Sequence, residues 1–154
     1  MAVEIERKFL VTDDAWRNTA TGILFRQGYL CTEPERTVRV RLEGDRGKLT
    51  IKGKSIGISR SEFEYEIPQQ EAVELLDKLC LLPLIEKTRY RVEHAGHWWE
   101  VDEFHGDNEG LILAEIELEA EDSEIELPEW VGKEVSGERR YYNACLVEKP
   151  FKDW

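Results

Sequence analysis

Glu4, Glu6 and Lys8 occupy alternate positions in the segment Val3-Glu4-Ile5-Glu6-Arg7-Lys8-Phe9. In an extended strand alternate side chains share a face, so two carboxylates and an ammonium line one side. The same spacing recurs in Arg39-x-Arg41, Arg60-x-Glu62-x-Glu64-x-Glu66, Lys87-x-Arg89-x-Arg91, Glu100-x-Asp102 and Glu115-x-Glu117-x-Glu119, and Lys52 has the same parity. Lys and Arg side chains converging from several strands bind a multiply charged anion, such as a phosphate chain, through charge-assisted hydrogen bonds. Interleaved carboxylates offer hard oxygen ligands to Mg2+ or Mn2+. Both together meet the needs of phosphoryl transfer, where catalysis is largely positioning and charge neutralisation.

These residues need strands to carry them, and the hydrophobic pattern supplies strands. An extended run covers about residues 24–31, and Thr37 to Leu42 alternates strictly, turns at Gly44-Asp45-Arg46-Gly47 and returns as Lys48 to Lys52. Arg60 to Ile67 alternates again, and Pro68 leads into a helix over residues 69–82 with Ala72, Val73, Leu75, Leu76 and Leu79 at helical spacing. Glu86 to Val92 and Trp98 to Asp102 form a second hairpin around Ala95-Gly96, and a Gly-rich turn feeds a strand from Leu111 to Glu119. Thr12-Asp13-Asp14 predicts a short helix through Trp16 and Arg17, and another short helix is predicted over 139–146, ahead of Pro150. From Glu121 to Trp130 the pattern dissolves into an acidic loop.

The faces opposite the charges carry Ile5, Val38, Val40, Leu42, Leu49, Ile51, Phe63, Tyr65, Tyr90, Val92, Val101, Ile116 and Leu118. Parity alone also fits an antiparallel sheet whose charged face meets water. Two features favour an enclosed face. Nearly every polar strand position is a full charge, with acidic and basic strands suited to compensate one another. About eight antiparallel strands are also enough to close a barrel. The expected fold is therefore mostly β: a closed antiparallel barrel forming a tunnel, charged inside, with helices packed outside.

At 154 residues the chain suits one domain, 1–154. A net charge of −12 argues against a nucleic-acid coat, so any anion site must be locally basic. Cys31, Cys80 and Cys145 form neither a CxxC pair nor a disulfide framework, which predicts reduced, mostly buried thiols. No signal peptide or membrane-length apolar run is read, and the expectation is a cytoplasmic protein with no membrane or nucleic-acid partner.

The segment Glu4-Ile5-Glu6-Arg7-Lys8-Phe9-Leu10-Val11 resembles the ExExK signature of the CYTH superfamily, the triphosphate tunnel metalloenzymes, especially its short bacterial members. Further landmarks follow in order: Arg26-Gln27-Gly28-Tyr29-Leu30, Arg39-x-Arg41, Thr50-Ile51-Lys52, Arg60-x-Glu62-x-Glu64, Glu86-Lys87-Thr88-Arg89-Tyr90, Glu115-x-Glu117, Glu134-Val135 and Arg139-Arg140-Tyr141. The resemblance implies a tunnel that binds a triphosphate and hydrolyses it or, in some members, cyclises a nucleotide. It assigns Lys8, Arg39, Arg41, Lys52, Lys87 and Arg89 to phosphates, with Arg139 or Arg140 closing one end. Glu4, Glu6, Glu115 and Glu117 become the candidate ligands of Mg2+ or Mn2+. Glu62 and Glu64 are either further ligands or the residues that orient water, and Asp102 shares that duty. A homodimer is common among such proteins, although no partner surface is marked in this sequence.

Three activities compete on this reading. The first is metal-dependent hydrolysis of inorganic tripolyphosphate to pyrophosphate and phosphate. The second is a nucleoside or thiamine triphosphatase, or a class IV adenylate cyclase, for which no base or ribose pocket is legible. The third is a polyphosphate- or nucleotide-binding module, which would have little use for carboxylates on three separate strands. Gly53-Lys54-Ser55 is not a P-loop, because Lys48 stands where its first glycine should be. His94, His97 and His105 lack metal-ligand spacing, and Trp98, Trp99 and Trp130 are expected to pack.

Overall fold

A computed structural model describes residues 3–154. Its strands are β1 (Val3–Val11), β2 (Ile23–Glu33), β3 (Arg36–Glu43), β4 (Arg46–Gly53), β5 (Ser59–Ile67), β6 (Ile85–His94), β7 (His97–Phe104), β8 (Ile112–Glu117) and β9 (Val131–Glu134). Two helices, α1 (Gln69–Lys78) and α2 (Asn143–Glu148), are joined by short 3-10 turns elsewhere, one of them over Ala15–Asn18. The sheet order β5-β4-β3-β2-β6-β7-β8-β1 closes on itself through a β5–β1 pairing, giving a ring of eight antiparallel strands.

Closure depends on β1. One of its edges pairs with β8 from Glu6 to Leu10, while the other is shared by β5 near its start, at Val3 to Ile5, and β9 near its end, at Phe9 and Val11. The short strand β9 carries no alternation of its own. It forms because β1 extends past β5 and presents unpaired backbone groups, which a buried edge cannot leave unsatisfied.

Register brings charge opposite countercharge along the inner face: Lys8 pairs with Glu115, Lys52 with Glu62 and Arg89 with Asp102. The outer face is apolar and buries the core over most of the ring, although Ile51 of β4 and Phe63 and Tyr65 of β5 stay exposed. Phe9, Trp99, Val101, Ala114 and Ile116 form one cluster with Trp16 and Trp130, joined by edge-on aromatic contacts. Trp98, by contrast, is half exposed under the Arg91 guanidinium instead of packed.

Helix α1 packs outside, setting Ala72 and Leu76 on Val40 and Leu42. It ends at Lys78, short of the predicted position 82: Leu79 still makes the helical bond to Leu75, but Cys80 donates to the same carbonyl and Leu81 donates out of the helix to Tyr29 of β2. Pro83 then discourages continuation.

Helix α2 has a different place. Inner-face positions turn apolar at one end of the ring, in Tyr29, Ile85, Phe104 and Leu113, and there Leu146 and Val147 cover them. The helix lies across that end as a partial plug. The three cysteines are unpaired as expected, though half-buried.

Candidate active site

Inside the ring lies a cavity of about 360 Å3 lined by Lys8, Arg39, Arg41, Lys52, Lys87 and Arg89, and also by Glu4, Glu6 and Glu115. Its size is in the range of small-ligand sites. Lys54, Arg60 and Arg139 line it further out.

The cations are held by a wall of buried partners. Asp102 has no exposed surface; its carboxylate accepts from Arg89 Nε at 2.7 Å and Nη2 at 2.8 Å and lies 2.8 Å from Lys87 Nζ. Burial alone would raise this carboxyl, yet Arg89 and Lys87 hold it down to about 2. Lys87 is pulled the other way: burial, with Arg89 and Arg41 adding repulsion, lowers its ammonium to about 7 despite Asp102. Burial and the charges of Arg39 and Arg89 lower Arg41 to about 10. These cations crowd one another, and a polyanion would relieve them. Arg39 adds a second sign of an absent ligand, because its Nε is buried with no hydrogen-bond partner.

Carboxylates gather on β1 and its neighbours β5 and β8. Lys52 Nζ donates to both oxygens of Glu4, at 3.0 and 2.8 Å, and lies 3.4 Å from Glu62. Glu6 faces like charges instead. Burial, Glu115 and Glu4 push its carboxyl well above the usual range. Among the described residues no three side chains already form a metal cage. The donor set nonetheless fits a hard divalent cation, since it consists of carboxylate oxygens and carries uncompensated repulsion at Glu6.

Comparison with known proteins bears on this geometry. A family model described as CYTH domain matches residues 2–142. The chain belongs to the CYTH domain family. Among CYTH relatives, it is 52% identical over 154 residues to an inorganic triphosphatase of Acetivibrio thermocellus, covering 100% of this chain and 99% of that one. It is 35% identical over 148 residues to an inorganic triphosphatase of Nitrosomonas europaea, with 94% and 96% covered. A crystal structure of an inorganic triphosphatase superposes with a TM-score of 0.66 at 32% identity, covering 96% of this chain and 95% of that one. A protein of Pyrococcus horikoshii, at 18% identity, TM-score 0.59 and coverage of 77% and 81%, shares the fold alone.

Against the CYTH expectations, the ring brings Glu4, Glu6, Lys8, Arg39, Arg41, Lys52, Lys87, Arg89, Glu115 and Arg139 to one cavity. Five other residues stand outside its lining. Asp102 lies behind Lys87 and Arg89, and Glu64 is occupied by Thr50 at 3.0 Å, Lys48 at 3.4 Å and Arg39 at 3.6 Å. Glu62 meets Lys52, and Glu117 sits opposite Glu6 in register. Arg140 turns away to stack on Trp154 and Tyr141, with its guanidinium 4.6 and 5.1 Å from their ring centres. Of the two adjacent arginines, Arg139 is the one that faces the cavity.

The charge pattern gave no sign of the inner face of β2, because that face carries no charge. Phe25 lies with the Arg41 and Arg89 guanidiniums each 4.9 Å from its ring centre. Gln27, fully buried, accepts from Arg41 Nε at 2.9 Å. Arg26 of the same strand points outward to Asp77 of α1. Asn143 of α2 also lines the cavity. No spacing rule announces it, since its position depends on where the chain re-enters after β9.

Proposed function

We propose that this protein is a metal-dependent inorganic triphosphatase, hydrolysing tripolyphosphate to pyrophosphate and phosphate. The observation that carries the reading is one cavity inside the ring in which six Lys and Arg side chains face Glu4, Glu6 and Glu115. Two relatives that the chain matches over nearly its whole length are inorganic triphosphatases. The buried, unpartnered Nε of Arg39 supports an anionic occupant.

In this mechanism Lys8, Arg39, Arg41, Lys87 and Arg89 hold phosphate oxygens, and Arg139 adds charge at the rim. Asp102 acts from behind. By binding Arg89 through two nitrogens and Lys87 through one, it fixes both donors toward the substrate. Glu4, Glu6 and Glu115 would hold Mg2+ or Mn2+, with Glu117 beside them. Held there, a divalent ion would supply positive charge against the negative charge building on the phosphate oxygens and the leaving pyrophosphate. Lys52 lies between Glu4 and Glu62, so it balances carboxylates and can turn to a phosphate. Glu62 and Glu64 are both candidates to orient the attacking water from behind the lining, Glu62 meeting Lys52 at 3.4 Å and Glu64 held by Thr50, Lys48 and Arg39. Water adds to a terminal phosphorus, the bridging P–O bond breaks, and the water's proton leaves with solvent or a product oxygen.

The substrate choice rests on what the cavity lacks. Tyr29 is buried in the apolar plug and Tyr142 has the Lys8 ammonium 5.4 Å from its ring centre, an arrangement that favours a phosphate chain over a stacked base. The same reading has the enzyme in the cytoplasm, which three unpaired cysteines support. No helix of the described residues is long and apolar enough to cross a membrane.

The test is phosphate release from tripolyphosphate, ATP and thiamine triphosphate, each with Mg2+, Mn2+ or EDTA. Tripolyphosphate turnover that requires metal and exceeds the other two is the expected result. Preference for ATP or thiamine triphosphate would replace the substrate, and no turnover of any would leave a binding module.

A further inference from the structure

Asn143, the first residue beyond the stretch matched by the family model, is the first residue of α2 and lines the cavity. Tyr142 before it is extended, with φ −69° and ψ 134°, and this break between the 3-10 turn Arg139–Tyr141 and α2 separates the two helical segments. Its Oδ1 accepts two hydrogen bonds, from Lys87 Nζ at 3.0 Å and from Gln27 Nε2 at 3.0 Å. Gln27 Oε1 in turn accepts from Arg41 Nε at 2.9 Å.

The direction of this chain is fixed by chemistry. A guanidinium only donates, so the atom facing Arg41 must be the Gln27 carbonyl oxygen. That leaves the Gln27 amide nitrogen to donate to Asn143. A leucine in either place would leave a buried cation or amide short of an acceptor, at the cost of an unmade hydrogen bond.

We propose that Asn143 is a positioning residue of the cavity: its neutral carbonyl, delivered by the C-terminal helix, sets Lys87 of β6 directly and Arg41 of β3 through Gln27 of β2. The C-terminal plug thereby carries part of the active site. Neutrality is essential to the role. Lys87 and Arg89 already share Asp102 on the wall side, so a second anion at position 143 would bind Lys87 to the protein and repel the incoming phosphates. An amide oxygen orients the ammonium while leaving its charge available to the ligand.

This inference rests on the triphosphatase reading, and the experiment separates the two. Tripolyphosphate binding is measured by calorimetry in EDTA, and steady-state turnover with Mg2+, for wild type, Asn143→Ala, Asn143→Asp, Gln27→Leu and the double variant Asn143→Ala/Gln27→Leu. Loss of a hydrogen bond to a charged group predicts roughly tenfold weaker binding and higher KM for Asn143→Ala, with kcat changed less. Asn143→Asp, equal in size and still an acceptor, should bind more weakly than the alanine variant. The double variant should lose less than the product of the single losses, because both act on Arg41 through one chain. If Asn143 only caps α2 or fills space, the alanine variant will bind tripolyphosphate as wild type does and the double variant will show the full product of the single losses, which overturns the proposal. Wild-type binding and KM in both Asn143 variants also overturn it while leaving the triphosphatase reading intact. A wild-type chain that neither binds nor hydrolyses tripolyphosphate removes both. Should the alanine variant unfold, Asn143→Leu, close in size and lacking an acceptor, takes its place, and wild-type binding and KM in it overturn the proposal.

Discussion

At the scale of single residues, the account turns on carboxyls with opposite environments. Glu6 is held well above the ordinary 4.5 by burial, Glu115 and Glu4. From 4.5 up to its raised value the unfolded chain has released a proton that the folded chain keeps, so without metal its stability falls as pH rises through that window. Glu6→Gln should therefore melt no lower than wild type in EDTA at pH 7 and flatten this slope, while metal-dependent turnover falls more than about a hundredfold. Calorimetry and kinetics on one preparation check both, and retained activity would remove Glu6 from the metal set. Asp102 works in reverse. Held down to about 2, it gives stability that is complete above 3.8 and lost as pH falls through about 2. Asp102→Asn would leave Lys87 and Arg89 buried without their carboxylate, costing about 3–5 kcal/mol in urea unfolding at pH 7. A loss below about 1 kcal/mol would show that Lys87 simply discharges.

At the scale of elements, charge alternation made the inner faces of β1, β3 to β8 legible, because a period of two assigns every second side chain to one wall. The hairpins were equally plain from their turns. Four things were not. The strand β9, only Val131–Glu134, exists because β1 offers an edge, and Gly132 allows the approach: a Cβ there would meet the Thr12 side chain at 2.7 Å. The predicted helix over 139–146 is broken at Tyr142. Where inner faces become apolar, at Ile85, Phe104 and Leu113, depends on the stagger of neighbouring strands, which no single strand encodes. The inner face of β2 was invisible for a related reason: it works without charge. Phe25 separates two like-charged guanidiniums through the faces or edges of one ring, so Phe25→Leu should raise KM for tripolyphosphate roughly tenfold through lost cation–π contact and spacing. An unchanged KM would show that Asp102 and Gln27 alone fix Arg89 and Arg41.

At the scale of the whole molecule, a chain of net charge −12 encloses a cavity lined by cations, and the ring makes this workable. Closure turns one face of every strand inward, where low dielectric strengthens each pairing and an unmet charge is costly. The outward faces bury most of their apolar residues under α1 and the loops, leaving Ile51, Phe63 and Tyr65 of β4 and β5 exposed, and α2 finishes one end. The result is a rigid wall whose cations are crowded until a polyanion arrives and whose carboxylates are crowded until a divalent cation does. The most direct measurement of that claim is 31P NMR of tripolyphosphate incubated with the protein and Mg2+. The account predicts loss of the tripolyphosphate signals with equal molar gains of pyrophosphate and phosphate, and no change in EDTA. Signals that stay unchanged with Mg2+ and with Mn2+, or that are lost equally in EDTA, would contradict it.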